Sequence, residues 1–209
     1  MKFLLYGEGW TEHEALRGFL RRWLDGQINT RVGIDSVRLE GIDEFVSGVR
    51  TKIHTHSNSE KAGNAIGYIG LADVYRFPGY PDSATSVEQR CDWARKKMLR
   101  KVDHPKFRMH FAVHEVEAWL LSDPDIFPEA VKKALPGRAS HEPEAVDFDE
   151  PPGKLLRRLY REKLGQEYKK RVNGPALFRV LDPKKVYAKC PYFRRMLDDM
   201  LDLARQAGI

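Results

Sequence analysis

Four carboxylates stand where short apolar runs of this chain give way to glycine, a turn or a helical pattern. Lys2-Phe3-Leu4-Leu5-Tyr6 runs into Gly7-Glu8-Gly9, and residues 65–72 run into Asp73. Met109-His110-Phe111-Ala112-Val113 runs into His114-Glu115-Val116-Glu117. Apolar runs of that length, bounded in that way, read as buried parallel strands of a βα architecture. Open α/β sheets take their ligands just beyond the carboxyl ends of the strands. Oxygen donors delivered there from three strands suit a hard cation, Mg²⁺ or Mn²⁺. The chemistry such a site would do is metal-assisted phosphoryl transfer.

Each carboxylate also has a plainer use. Glu8 lies between Gly7 and Gly9, which let the backbone turn sharply and a ligand come close. The helix expected next, with Thr11 in its first turn, offers N–H groups suited to phosphate. No Gly-Lys-Ser/Thr and no third glycine follow, so this is neither a P-loop nor a dinucleotide fingerprint. Glu8 is therefore a site residue or a turn residue, and Glu12 a first-turn carboxylate that complements the helix dipole. Asp73 is a ligand or an ordinary turn residue. Just after it, Tyr75 could orient a phosphate or close the pocket, and Arg76 could clamp an anion. Glu115 and Glu117 would share a face in extended backbone but diverge in a helix. Two acids in an apolar setting are costly unless paired or metal-bound. His114 is a proton shuttle or a structural histidine. His54 and His56 lie in a polar stretch read as a solvated turn, without further donors to complete a metal site.

The elements that must position these groups are an alternation of strands and helices. Strands are expected at 2–6, 32–39, 65–72 and 107–113, and helices at 43–53, 87–102 and 117–121. Thr11 and Glu14 form a capping-box pattern ahead of an apolar face made by Ala15, Leu16, Phe19, Leu20, Trp23 and Leu24. An α/β core over 1–135 precedes a Pro- and acid-rich linker or surface excursion over 136–153. A helical extension packed on the core follows over 154–209, with stripes such as Phe193, Met196, Leu197, Met200 and Leu201. The long loop after Asp73 is of a kind that is usually functional.

Composition narrows the function classes. Two isolated cysteines, Cys91 and Cys190, argue against a disulfide framework or a zinc site. No run approaches a membrane span, and the first residues enter a strand directly, so a soluble cytoplasmic protein is expected. The net charge of +6 is spread over clusters such as Arg95-Lys96-Lys97 and Lys169-Lys170-Arg171. Together these make nucleic acid an expected partner, with Arg95, Lys96 and Lys97 on a basic helix that could hold its backbone.

The motifs Tyr6-Gly7-Glu8-Gly9-Trp10-Thr11-Glu12, Asp73-Val74-Tyr75-Arg76-Phe77-Pro78-Gly79 and His114-Glu115-Val116-Glu117-Ala118-Trp119 occur in that order. Near the end come Tyr168-Lys169-Lys170, Asn173-Gly174-Pro175 and Ala188-Lys189-Cys190-Pro191-Tyr192-Phe193. This set resembles the bacterial DUF4276 family, itself similar to the Toprim-like domains of OLD-type and phage-defence nucleases. The resemblance implies a Rossmann-like, mostly parallel sheet flanked by helices, and a Mg²⁺-dependent nuclease or related phosphoryl-transfer enzyme. It matches Glu8 to the acid after the first strand and Asp73 to the first acid of an Asp-x-Asp pair. Tyr75 replaces the second acid, and Glu115 or Glu117 would have to restore the charge. An ATPase of the AAA or ABC type is the partner the resemblance implies. The alternative is a non-catalytic nucleic-acid-binding or ATPase-partner module with a vestigial acidic site.

Overall fold

The structure, a computed structural model, describes residues 1–59, 64–145 and 150–209, with the side chains of residues 10–12 outside the description. Four strands, β1 (Lys2–Gly7), β2 (Gly33–Arg38), β3 (Ala65–Asp73) and β4 (Phe107–Ala112), form one sheet in the order β2-β1-β3-β4. All three pairings are parallel. Parallel strands need both faces covered, and the nine residues of β3 are all buried.

Side-chain alternation divides the interior into two cores. Phe3, Leu5, Ile69 and Leu71 point to one face, with helices α1 (Trp10–Asp25), α7 (Pro152–Leu164), α8 (Lys170–Val180) and α10 (Pro191–Gln206) contributing to the same core. Leu4, Tyr6, Tyr68 and Ala72 point to the other, under α2 (Ile42–Ser57) and α3 (Val87–Val102). Helix α1 begins at Trp10 with Gly9 as its N-cap, so Thr11 stands within the first turn and not at the cap position expected of it. Helix α2 runs on through the stretch expected as a solvated turn. Within it His54 Nε2 lies 2.9 Å from the Val102 carbonyl, and His56 Nδ1 lies 2.7 Å from the Tyr6 hydroxyl. Both histidines are packing residues.

Short helices α4 (Glu117–Leu121), α5 (Glu129–Ala134) and α6 (Gly137–His141) follow β4, and α9 (Pro183–Lys189) precedes α10. Part of the 136–153 stretch is packed into the molecule. Glu144 is buried there and accepts hydrogen bonds from Trp119 Nε1 (3.2 Å), Tyr192 N (2.8 Å) and Phe193 N (3.2 Å). Burial pushes its carboxyl up to about 7 against the pull of those donors. This latch ties the start of α10 to α4, immediately beside Glu117. Among the described residues, no helix is long and apolar enough to cross a membrane.

Glu144→Ala strands several buried donors at once, which should cost about 3 kcal/mol of stability. Thermal unfolding should show a fall in Tm of roughly 10 °C; a shift below about 2 °C would mean the latch is dispensable.

Candidate active site at the carboxyl edge of the sheet

From β1 the chain passes to β2 on one side and, later, to β3 on the other. This reversal between β1 and β3 opens the kind of crevice in which doubly wound sheets hold ligands. Glu8 and Asp73 flank it. In register Gly7 pairs with Leu71 and Asp73 with Ala112, so Glu8, Asp73 and the turn after β4 reach the same edge. The Asp73 N–H donates to Glu8 Oε1 at 2.9 Å, and both residues are buried. Burial raises the Glu8 carboxyl above its ordinary value, while the Asp73 N–H, Arg76 and Lys170 pull it down. Arg76, itself largely exposed, places Nε 3.9 Å from Asp73 Oδ2.

Glu115 and Glu117 reach one centre although the helix, the case in which they were expected to diverge, has begun. His114 takes a left-handed conformation (φ 66°), uncommon for a residue with a β-carbon, and turns the chain as β4 ends. Helix α4 has begun by Glu117. The two carboxylates nevertheless meet on Lys170 at the start of α8, whose Nζ lies 3.1 Å from Glu115 Oε2 and 2.8 Å from Glu117 Oε2. The second Glu115 oxygen accepts the Gly153 N–H at 2.7 Å. A β-carbon at Gly153 would lie 2.5 Å from that oxygen, so any larger residue there would push the Glu115 carboxylate aside. Burial works to raise the Glu115 carboxyl, but Lys170 and the Gly153 N–H outweigh it and leave it lowered. Burial likewise works to lower Lys170, yet Glu117, Glu115 and Asp73 hold it well above the ordinary lysine range.

Over this edge opens a pocket of about 290 Å³ lined by Asp73, Tyr75, Arg76, His114 and Glu115, and by Lys154 and Arg157 of α7. The Tyr75 and His114 rings meet at a tilt, 4.8 Å between centres, and burial raises the Tyr75 hydroxyl to about 12. Its floor is acidic and its wall basic, the charge arrangement that a phosphodiester with a divalent cation would meet. Among the described residues, no three His, Cys, Asp or Glu side chains are grouped to hold a metal ion. Glu12 and Thr11 have side chains outside the described residues, so the expected phosphate contact of Thr11 lies outside them too. Gly7 closes β1, and Gly9 caps α1.

The basic helix expected to hold nucleic acid is placed differently. Arg95 turns inward, donating to the Met109 carbonyl (3.2 Å) and to Asp92 Oδ1 (3.1 Å). Lys97 lies over Trp93, and Lys96 is exposed; none of the three lines the pocket. Its cations come instead from Arg76, Lys154 and Arg157, with Lys170 behind them. The run Tyr168-Lys169-Lys170 was the available signal for Lys170, but only as a tail motif.

The sequence profile of a domain of unknown function, DUF4276, matches residues 7–201. This chain belongs to the DUF4276 family. No curated protein matches it. Among solved structures, this DUF4276 chain is similar to the C-terminal region of the Burkholderia pseudomallei OLD protein. That match has 14% identity and a TM-score of 0.48, covering 96% of this chain and 97% of the other. It is also similar to the C-terminal region of the Xanthomonas campestris pv. campestris OLD protein, at 15% identity and a TM-score of 0.46, covering 99% and 95%.

The Glu115–Lys170–Glu117 triad yields a pH test. Glu115 is lowered and Lys170 raised, so their contribution is present between about pH 5 and 10 and lost outside it. Lys170→Met leaves two acids without their cation, which should cost about 3 kcal/mol at pH 7. The Glu115 carboxyl then loses the strongest of the groups that hold it low and is left to the burial that raises it, so the variant should regain stability as pH falls toward about 5. Urea unfolding across that range checks it; a deficit independent of pH would contradict the triad.

Proposed function

We propose that this DUF4276 chain is a metal-dependent phosphodiesterase of the Toprim-like type, acting on nucleic acid at the carboxyl edge of its sheet. The observation that carries the proposal is the pairing of Glu8 with Asp73 at the switch point, beneath a pocket walled by Arg76, Lys154 and Arg157. Both are buried oxygen donors, linked through the Asp73 N–H, and Mg²⁺ is commonly held by one or two carboxylates together with substrate phosphates. The residues therefore fit a divalent cation, Mg²⁺ or Mn²⁺, held by Glu8 and Asp73. When bound, such an ion polarises a phosphoryl oxygen and makes water a better nucleophile near neutral pH.

The chain's own groups supply the rest. Arg76 and Arg157 grip a phosphate as guanidinium forks, and Lys154 adds a point charge. Lys170, fixed by Glu115 and Glu117, brings a preorganised positive charge toward the same edge, where it offsets charge developing on phosphoryl oxygens. Glu115 and Glu117 act on this reading as the seat of Lys170, in place of the ligand role first expected. His114 lines the pocket and is placed to relay a proton. A service in phage defence beside an ATPase belongs to the same proposal and rests on the motif resemblance alone.

A second reading, a non-catalytic nucleic-acid-binding or ATPase-partner module, is favoured by two observations. Tyr75 stands where the resembling motif has its second acid, and Lys170 neutralises the acids that would replace it.

Cleavage of labelled single- and double-stranded DNA and RNA, with Mg²⁺ or Mn²⁺, decides between them. The proposal expects metal-dependent cutting that falls on the order of a hundredfold or more in Glu8→Gln and in Asp73→Asn. Cutting that survives in both variants would refute the Glu8–Asp73 site, and its absence in the wild type alone and with an ATPase partner would favour the binding module.

A further inference from the structure

A ladder of rings and cations leaves the pocket and continues over the surface beside it. It starts with Tyr75 and His114, whose rings meet at a tilt of 38° and both of which line the pocket. Arg90 of α3 lies over Tyr75 at 5.8 Å and over Tyr80 at 5.6 Å, joining the two rings. Tyr80 meets Trp93 at 5.5 Å, and Lys97 Nζ lies 4.6 Å from the Trp93 ring centre. The ladder is held in place from below. The Tyr80 hydroxyl donates to the Val74 carbonyl at 2.6 Å, and Arg90 Nε donates to the Ala84 carbonyl at 3.0 Å. Phe77 and Phe111 beneath it are fully packed, whereas Tyr75, Tyr80, Arg90, Trp93 and Lys97 keep part of their surface in solvent. A shell whose only task was to cover Phe77 would need apolar groups there; this one alternates π faces with positive charge.

That alternation matches an unpaired polynucleotide, whose bases stack on rings and guanidinium planes while its phosphates meet the cations. A duplex keeps its base faces stacked on one another and presents only backbone and groove edges. We propose that the ladder is a binding path for single-stranded nucleic acid that leads the strand into the pocket. The inference deepens the phosphodiesterase reading, and rests on it for the nature of the polymer, by naming the strand state that is recognised.

Binding measured without divalent cation separates the two ideas. Fluorescence anisotropy of labelled 20-nucleotide DNA and RNA, single-stranded and as duplexes of the same sequence, is recorded in EDTA. The wild type and Glu8→Gln should bind the single strand at least about tenfold tighter than the duplex. Trp93→Ala should lose about tenfold for the single strand and little for the duplex, and Trp93→Phe should recover most of it. Lys97→Gln, a surface change that leaves the rings in place, should weaken binding and reduce its salt dependence. Equal affinity for both strand states, no effect of Trp93→Ala and Lys97→Gln in folded protein, or no binding of single strand at all would each overturn the ladder. The metal-dependent cleavage assay is read separately, so duplex cutting with no single-strand preference would retire the ladder and keep the enzyme. Single-strand binding that is lost in Trp93→Ala, with no cutting, would do the reverse.

Discussion

Removing carboxylates from water is the constraint around which the rest of this molecule is arranged. Glu8, Asp73 and Glu117 are buried at one edge of a parallel sheet, with Glu115 close by. Ionised acids in such a setting are tolerated only when paired or hydrogen-bonded. The fold answers with a backbone N–H for Glu8, another for Glu115, and one lysine shared by Glu115 and Glu117. Each answer comes from a different part of the chain. The site therefore exists only when β3, α7 and α8 are all in place, and the Glu144 latch that fixes α10 against α4 serves the same end.

This explains why the helices after β4 belong to the functional unit. Lys170 lies 55 residues beyond Glu115, and Gly153 lies 38 beyond it. Lys154 and Arg157 enter the pocket because the helix whose first turn binds Glu115 also carries them there. Charge is thus placed in two layers: acids on the sheet edge, cations on the helices that close over it.

What could be read in advance follows from how local each feature is. Glu8 and Asp73 were legible because a strand's end fixes where the next side chain emerges, and parallel register then carries both to one edge. Helix α3 runs over the residues expected, Val87–Val102, and the structure shows Ser86 capping it with Gln89 in a reciprocal box. Lys170 was not legible, because nothing in the sequence says which of several basic clusters will fold back over the sheet. The direction of a side chain on a helix was equally hidden: Arg95, Lys96 and Lys97 are adjacent, yet one turns into β4, one lies on a tryptophan and one faces solvent. Strand alternation and helix geometry gave opposite answers for Glu115 and Glu117, and the left-handed turn at His114 followed by α4 brings the two acids to one centre by neither route.

Whether Glu8 and Asp73 receive a cation is the central claim, and direct binding tests it without reference to turnover. Calorimetric titration of Mn²⁺ into the wild type and Glu8→Gln at neutral pH is the measurement, with circular dichroism confirming that both are folded. The account expects saturable binding by the wild type that weakens at least about tenfold in the variant. Identical affinity in the two proteins, or no binding by the wild type, would contradict it.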